Sequence, residues 1–204
     1  MTKVLSQVEQ GAVLVHLRPV IELTDDQFFE LCQTNRDLRI ERTAEGDIVV
    51  MPPEGGETGY RSMLLGMFLT QWALRDSTGV TFGSSTGFNL PNGATRAPDA
   101  AWVERSRLAA LTTDQKQTFL PLCPDLVVEI RSPSDRLSSL QENMQEYLDN
   151  GAQLGWLIDP PGRAVYVYRP NHPVERLENP ATIAGDPVLP GFVLDLQKIW
   201  EVAF

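Results

Sequence analysis

Lysine is almost missing from this chain. Of 17 basic residues only Lys3, Lys116 and Lys198 are lysine; the others are arginine. Histidine and cysteine are as sparse, at His16, His172, Cys32 and Cys123. Two separated cysteines and two histidines exclude a four-ligand structural zinc site with paired spacing. They also exclude a disulfide framework, so a reducing cytoplasm is the expected compartment. Neither histidine accompanies a G-x-S-x-G elbow, which leaves Ser-His-Asp and Cys-His catalysis without support. Nucleotide-binding loops of the G-x-x-x-x-G-K-[ST] or G-x-G-x-x-G kind do not occur. Long apolar runs are missing too. The most apolar window, residues 63–74, is interrupted by Thr70 and Gln71 and is too short to span a bilayer. The first twenty residues lack a basic segment followed by an apolar stretch, so neither a secretory signal nor a membrane partner is expected.

What is present is ordinary for a folded chain. In 204 residues, 42% are apolar and 22% charged, enough for one domain with a real core. We read a single domain over 1–204. Its core lies at about 58–160, with a helix and hairpin at 24–51 and C-terminal strands and tail at 163–204. The net charge of −10 opposes diffuse binding to nucleic acid. Residues 96–136 are different: six bases balance six acids, so the remainder of the chain carries the whole deficit. A divalent ion bound in that segment would make it locally positive, a footprint for phosphates.

Pattern and punctuation predict alternating elements. Thr24-Asp25-Asp26-Gln27 is a capping box opening a helix through about Asn35. Leu38–Thr43 and Ile48–Met51 read as strands around the Ala44-Glu45-Gly46-Asp47 turn. A Gly-rich loop, Glu54–Gly59, leads into a long helix at 58–75, with Leu64, Leu65, Phe68, Leu69 and Trp72 on one stripe. Strands are expected at 80–83, 87–90, 97–103, 126–131, 154–158 and 164–168. A second amphipathic helix, 137–150, is capped by Ser134 or Asp135 and closed by Gly151. Strands interleaved with helices give an α/β, mixed α+β class.

Two expected strands carry acids among apolar residues. In Leu126-Val127-Val128-Glu129-Ile130-Arg131, alternation puts Glu129 and Arg131 on the same face as Val127. In Ala97-Pro98-Asp99-Ala100-Ala101-Trp102-Val103, Asp99 stands among small and apolar neighbours. A carboxylate at a buried position is costly unless it is paired or holds a metal. Two on neighbouring strands would suit Mg²⁺, with waters and substrate phosphate completing the octahedron. The plainer reading makes Asp99 a turn acid at a strand end and Glu129 the structural ion-pair partner of Arg131 or of another arginine.

The same segments resemble a known family. Leu38-Arg39-Ile40-Glu41-Arg42-Thr43, Met51-Pro52-Pro53, Ser84-Ser85-Thr86-Gly87-Phe88 and Arg96-Ala97-Pro98-Asp99-Ala100-Ala101-Trp102 carry the likeness. So do Pro124-Asp125-Leu126-Val127-Val128-Glu129, Ser132-Pro133-Ser134-Asp135, Met144-Gln145-Glu146-Tyr147, Gly155-Trp156-Leu157-Ile158-Asp159 and Leu189-Pro190-Gly191-Phe192. Together they resemble the Uma2 family of restriction-endonuclease-like proteins, within the PD-(D/E)xK nuclease superfamily. The resemblance implies a central mixed sheet flanked by helices, with an N-terminal β-hairpin extension. It implies a Mg²⁺- or Mn²⁺-dependent endonuclease acting on DNA, and a homodimer. Asp99 and Glu129 would bind metal, the Ile130 carbonyl would be a third ligand, and Glu41 would hold a metal-bound water.

One departure bears on activity. The superfamily uses a lysine to stabilise charge on the phosphorane and to steer water. Here Arg131 fills the E-x-K place, and Asn143 fills the helix position from which such a lysine comes in this family. Asn143 has no charge, and the broad guanidinium of Arg131 suits a phosphate better than a water. Gln141, on the other flank of the helix stripe, is a further candidate for the same contact. The alternative function is a catalytically degenerate nuclease fold kept as a nucleic-acid or protein-binding module. A third reading is a structural oligomerising domain in which Asp99 and Glu129 are ion-paired.

Overall fold

The structure, a computed structural model, describes residues 11–202. The first ten residues, Lys3 among them, and the last two lie outside the described residues, and with them the expected absence of a secretory signal.

The first helix begins where the capping box predicts. The Gln27 amide donates to Thr24 Oγ1 at 3.2 Å, and the Thr24 amide donates to the Gln27 side chain at 2.9 Å. That box opens α1 (Asp25–Thr34), which follows a short strand β1 (Val13–Val15). β2 (Arg39–Arg42) and β3 (Ile48–Met51) form the expected hairpin, with Gly46 in its turn at φ +90°. α2 (Gly56–Asp76) starts earlier than predicted, so most of the supposed Gly-rich loop is its first turn. The Gly59 amide already donates to the Gly55 carbonyl at 3.0 Å; burial of the stripe downstream carries these glycines into the helix.

β4 (Gly79–Gly83), β5 (Phe88–Asn89), β6 (Thr95–Arg96), β7 (Ala100–Glu104), a one-turn α3 (Arg105–Ala109) and β8 (Leu126–Ile130) come next. They are followed by α4 (Leu137–Asp149), β9 (Leu154–Asp159), β10 (Ala164–Tyr168) and β11 (Glu175–Glu178). β12 (Thr182–Ala184), β13 (Val193–Asp195) and α5 (Gln197–Trp200) end the described chain. The strand expected from Ala97 begins only at Ala100. Pro98 has no amide to give to a ladder, and Asp99 meets the neighbouring strand through its side chain, as described below. The helix cap is also not as expected. Arg136 is the N-cap of α4 and makes no side-chain capping bond, while Asp135 closes the preceding turn by accepting from the Ser132 amide at 2.6 Å.

Six strands in the order β11-β10-β9-β8-β7-β4 make the main sheet. It is mixed: β8 and β9 run parallel, and the other neighbours run antiparallel. α4 is the crossover between the parallel pair, as such a connection requires. The hairpin is more than an extension. It lies inside a five-stranded sheet, β1-β3-β2-β6-β5, because β6 pairs with β2 at Arg42 and Thr95. β12 and β13 form a separate pair.

Alternation along the central strand divides the core. Leu126, Val128 and Ile130 face Leu65, Leu69 and Trp72 of α2, joined by Phe192, Leu194 and Trp200. Val127 faces the other way, with Leu140, Met144 and Tyr147 of α4. Every residue of β8 is buried, and each large apolar side chain so covered contributes roughly 1.5–3 kcal/mol. Glu129 shares the α4 face, where a charge has to be met by a partner.

Candidate metal-binding site

Glu129 is 9% exposed, and its position is set by the two-residue period of β8. Across the gap to α4, the Tyr147 hydroxyl donates to Glu129 Oε1 at 3.2 Å. Tyr147 is itself buried. Burial and then the charge of Glu129 hold its hydroxyl well above the usual tyrosine range, so it stays a donor.

Asp99 stands just before β7. The register pairs Ala100 with Val128, which brings Asp99 alongside Glu129 on the neighbouring strand. Its Oδ2 accepts from the Ile130 amide at 2.7 Å, taking the place of a backbone carbonyl. Burial pushes the Asp99 carboxyl up to about 7, against the opposing pull of Arg39 and of the Ile130 amide. Charges on Glu54 and Asp135 push it further in the same direction as burial.

The floor of the site comes from the second sheet. Arg39 and Glu41 are two residues apart on β2 and share a face. Arg39 donates to the Ala97 carbonyl at 3.1 Å and to Glu54 Oε1 at 3.0 Å, and stands 3.9 Å from Asp99 Oδ1. Glu41 accepts from the Ala97 amide at 2.9 Å and from Arg96 at 3.1 Å. Arg96 continues to Glu146 of α4 at 2.6 Å, so one buried guanidinium joins β2 to α4. The strand segment that ends in Asp99 is therefore held at both its carbonyl and its amide.

The remaining predicted residues are dispersed. Arg131 turns to Asp159 Oδ1 at 3.1 Å and the Asp135 carbonyl at 3.2 Å, pairing with Asp159 of β9. Ser139, Asn143 and Tyr147 form one row along α4, four residues apart, so half-buried Asn143 lies one turn from the tyrosine that reaches Glu129. Gln141 belongs to a different row. Arg39, Arg96, Glu146 and Tyr147 are not among the sequence candidates. The available signals were a polar alternation in β2 and the Asn143–Tyr147 spacing, and neither specifies a partner.

The donors that could hold a metal are hard oxygens: the Asp99 and Glu129 carboxylates and the Ile130 carbonyl, which leaves its strand on the same side as the amide that meets Asp99. Among the described residues no group of three or more His, Cys, Asp or Glu side chains is arranged around an ion. Two carboxylates with water and phosphate for the rest is the usual protein share for Mg²⁺, so the donor chemistry fits. The Asp99 carboxyl, which burial raises in spite of Arg39, fits too.

The family described as "Uma2: Putative restriction endonuclease" matches residues 25–197. Among solved structures, one described as a putative nuclease belonging to DUF820 from Anabaena variabilis is similar with a TM-score of 0.73. It is 21% identical, over 87% of this chain and 97% of the other. At that identity the likeness shows the fold, which is restriction-endonuclease-like. No curated protein matches the chain. Among the described residues no helix is long and apolar enough to cross a membrane.

Proposed function

The chain belongs to the Uma2 family, and on that premise we propose that it is a Mg²⁺- or Mn²⁺-dependent endonuclease hydrolysing DNA phosphodiester bonds. The observation that carries this reading is the side-by-side burial of Asp99 and Glu129, joined through the Ile130 amide. Asp99, Glu129 and the Ile130 carbonyl would hold the ion. A divalent ion there polarises a phosphoryl oxygen and lowers the pKa of water.

The protein's own residues do the positioning. Ile130 fixes one oxygen of Asp99, and Tyr147 fixes one oxygen of Glu129, which sets the directions of the remaining lone pairs. Glu41 spends both oxygens on Ala97 and Arg96, so its role is to hold the Pro98–Asp99 segment. Asn143 would contact a phosphate oxygen or a water from the α4 side, with Gln141 further round the helix. Arg131 would reach a phosphate only by giving up Asp159. Free Cys32 and Cys123 accord with the reducing cytoplasm we infer. A homodimer is part of the same reading, and light scattering tests it.

Purified protein incubated with supercoiled plasmid and Mg²⁺ or Mn²⁺ should nick it, and Asp99→Ala should not. Equal cleavage by the variant would remove the assignment. The commitment of Arg131 to Asp159, with a neutral Asn143, favours a second reading: a binding module that has lost turnover. In that case wild type binds oligonucleotides without cutting them.

A further inference from the structure

The two places where a lysine would serve such a site hold a neutral amide and an arginine tied to Asp159. Positive charge nevertheless reaches the acids from a third direction. Arg39 lies within the electrostatic reach of Asp99, Glu41, Glu129 and Glu54 together. Arg96 is committed between Glu41 and Glu146. Arg39 comes from the other sheet, and its side chain is 30% exposed.

Its hydrogen bonding is incomplete. The guanidinium has five N–H donors in a fixed fork. Two of these directions are used, toward Ala97 and Glu54, and the third contact is the long one to Asp99 at 3.9 Å. Nε is buried with no hydrogen-bond partner. Buried donors are nearly always paired, so one left over beside two carboxylates is a group short of an acceptor. A phosphate oxygen is an acceptor of the right charge, and a guanidinium fork matches it in two bonds.

We propose that Arg39 is the phosphate-contacting cation of this site, supplying from β2 the positive charge that neither Arg131 nor Asn143 brings. This rests on the nuclease reading for its substrate, a DNA phosphodiester. It differs from that reading in what it assigns: the charge comes from the hairpin sheet, so the β2 sheet is part of the substrate site and not only its support.

The experiment uses the full chain as wild type, Arg39→Ala, Arg39→Lys and, as a distant control, Arg176→Ala. Binding of a short DNA duplex is read by fluorescence anisotropy in Ca²⁺, across a salt series. Mn²⁺ affinity is read by calorimetry without DNA, melting temperature by calorimetric scan, and cleavage in Mg²⁺ as kcat and KM. Arg39→Ala should weaken duplex binding by about tenfold or more and reduce the salt slope by about one. It should leave Mn²⁺ affinity equal or tighter, because a competing cation has gone. Arg39→Lys should restore part of the binding. Unchanged duplex affinity and salt slope in a folded Arg39→Ala protein would overturn the proposal. So would a loss that tracks melting temperature in both variants, which marks a purely structural arginine. Absence of cleavage by wild type would instead defeat the nuclease reading, and the binding results would still decide Arg39.

Discussion

Asp99 and Ile130 are joined by one hydrogen bond, from the Ile130 amide to Asp99 Oδ2 at 2.7 Å. A side chain does here what a backbone carbonyl does elsewhere in the ladder, and it fixes one acid against the strand that carries the other. The bond leaves Asp99 Oδ1 toward Arg39. Asp99→Asn should keep the fold but abolish calorimetric Mn²⁺ binding. Retention of wild-type affinity would show that the ion, if bound, sits elsewhere.

The raised Asp99 carboxyl has a consequence for stability. Its pKa is about 7 folded against 3.8 unperturbed, with burial as the main cause. Between about 4 and about 7 the folded state keeps a proton that the unfolded chain has lost, so metal-free stability should fall as pH rises through that window and level off above it. Melting temperatures in a chelator from pH 5 to pH 8, roughly spanning it, should show that decline, and Asp99→Asn should flatten it. Mn²⁺ affinity should run the opposite way, rising with pH up to about 7, because ion and proton compete for one carboxylate.

Tyr147→Phe removes one hydroxyl and no packing. It should cost about 1 kcal/mol in urea denaturation, the ordinary worth of a buried hydrogen bond. Mn²⁺ affinity should fall severalfold, since Glu129 Oε1 loses its fixed direction. A stability loss with unchanged metal affinity would confine Tyr147 to the core.

Glu41→Ala should be far more damaging, at about 3–5 kcal/mol. It strips buried Arg96 of one of two carboxylates and leaves the Ala97 amide without its acceptor. Glu146→Ala should cost less, because that side of the pair is the more exposed, at 18%. Chemical denaturation of the two variants tests the order.

Asn143→Lys places an ammonium on the α4 row that contains Tyr147. Plasmid nicking should rise, or appear if wild type only binds, with the metal requirement kept. A folded variant that binds DNA as wild type and gains nothing would show that Asn143 does not face the reacting phosphate.

Much of the scaffold was legible in the chain. The capping box at Thr24 and Gln27, the stripe of α2 and the alternation of β8 each depend on neighbours within a few residues, and each appears as expected. What misled was also local. The apolar run from Ala97 read as a strand, but Pro98 withdraws an amide and delays β7 to Ala100. Arg131 followed Glu129 closely enough to suggest a pair, and the structure shows it bonded to Asp159 on the parallel neighbour. Tyr147 lies one turn from Asn143 in sequence, and only the seating of α4 on β8 and β9 makes it a partner of Glu129.

The scarcity of lysine is the clearest case of this division. Sequence, read through the family resemblance, determined that no lysine occupies the E-x-K place or the matching helix position. It also determined that Glu129 shares a face with Val127, because a strand alternates. Tertiary structure decided that the cation beside the acids is Arg39, sixty residues before Asp99 and in another sheet. A two-residue period tells which face a side chain takes. It carries no information about which strand, from which sheet, arrives opposite that face.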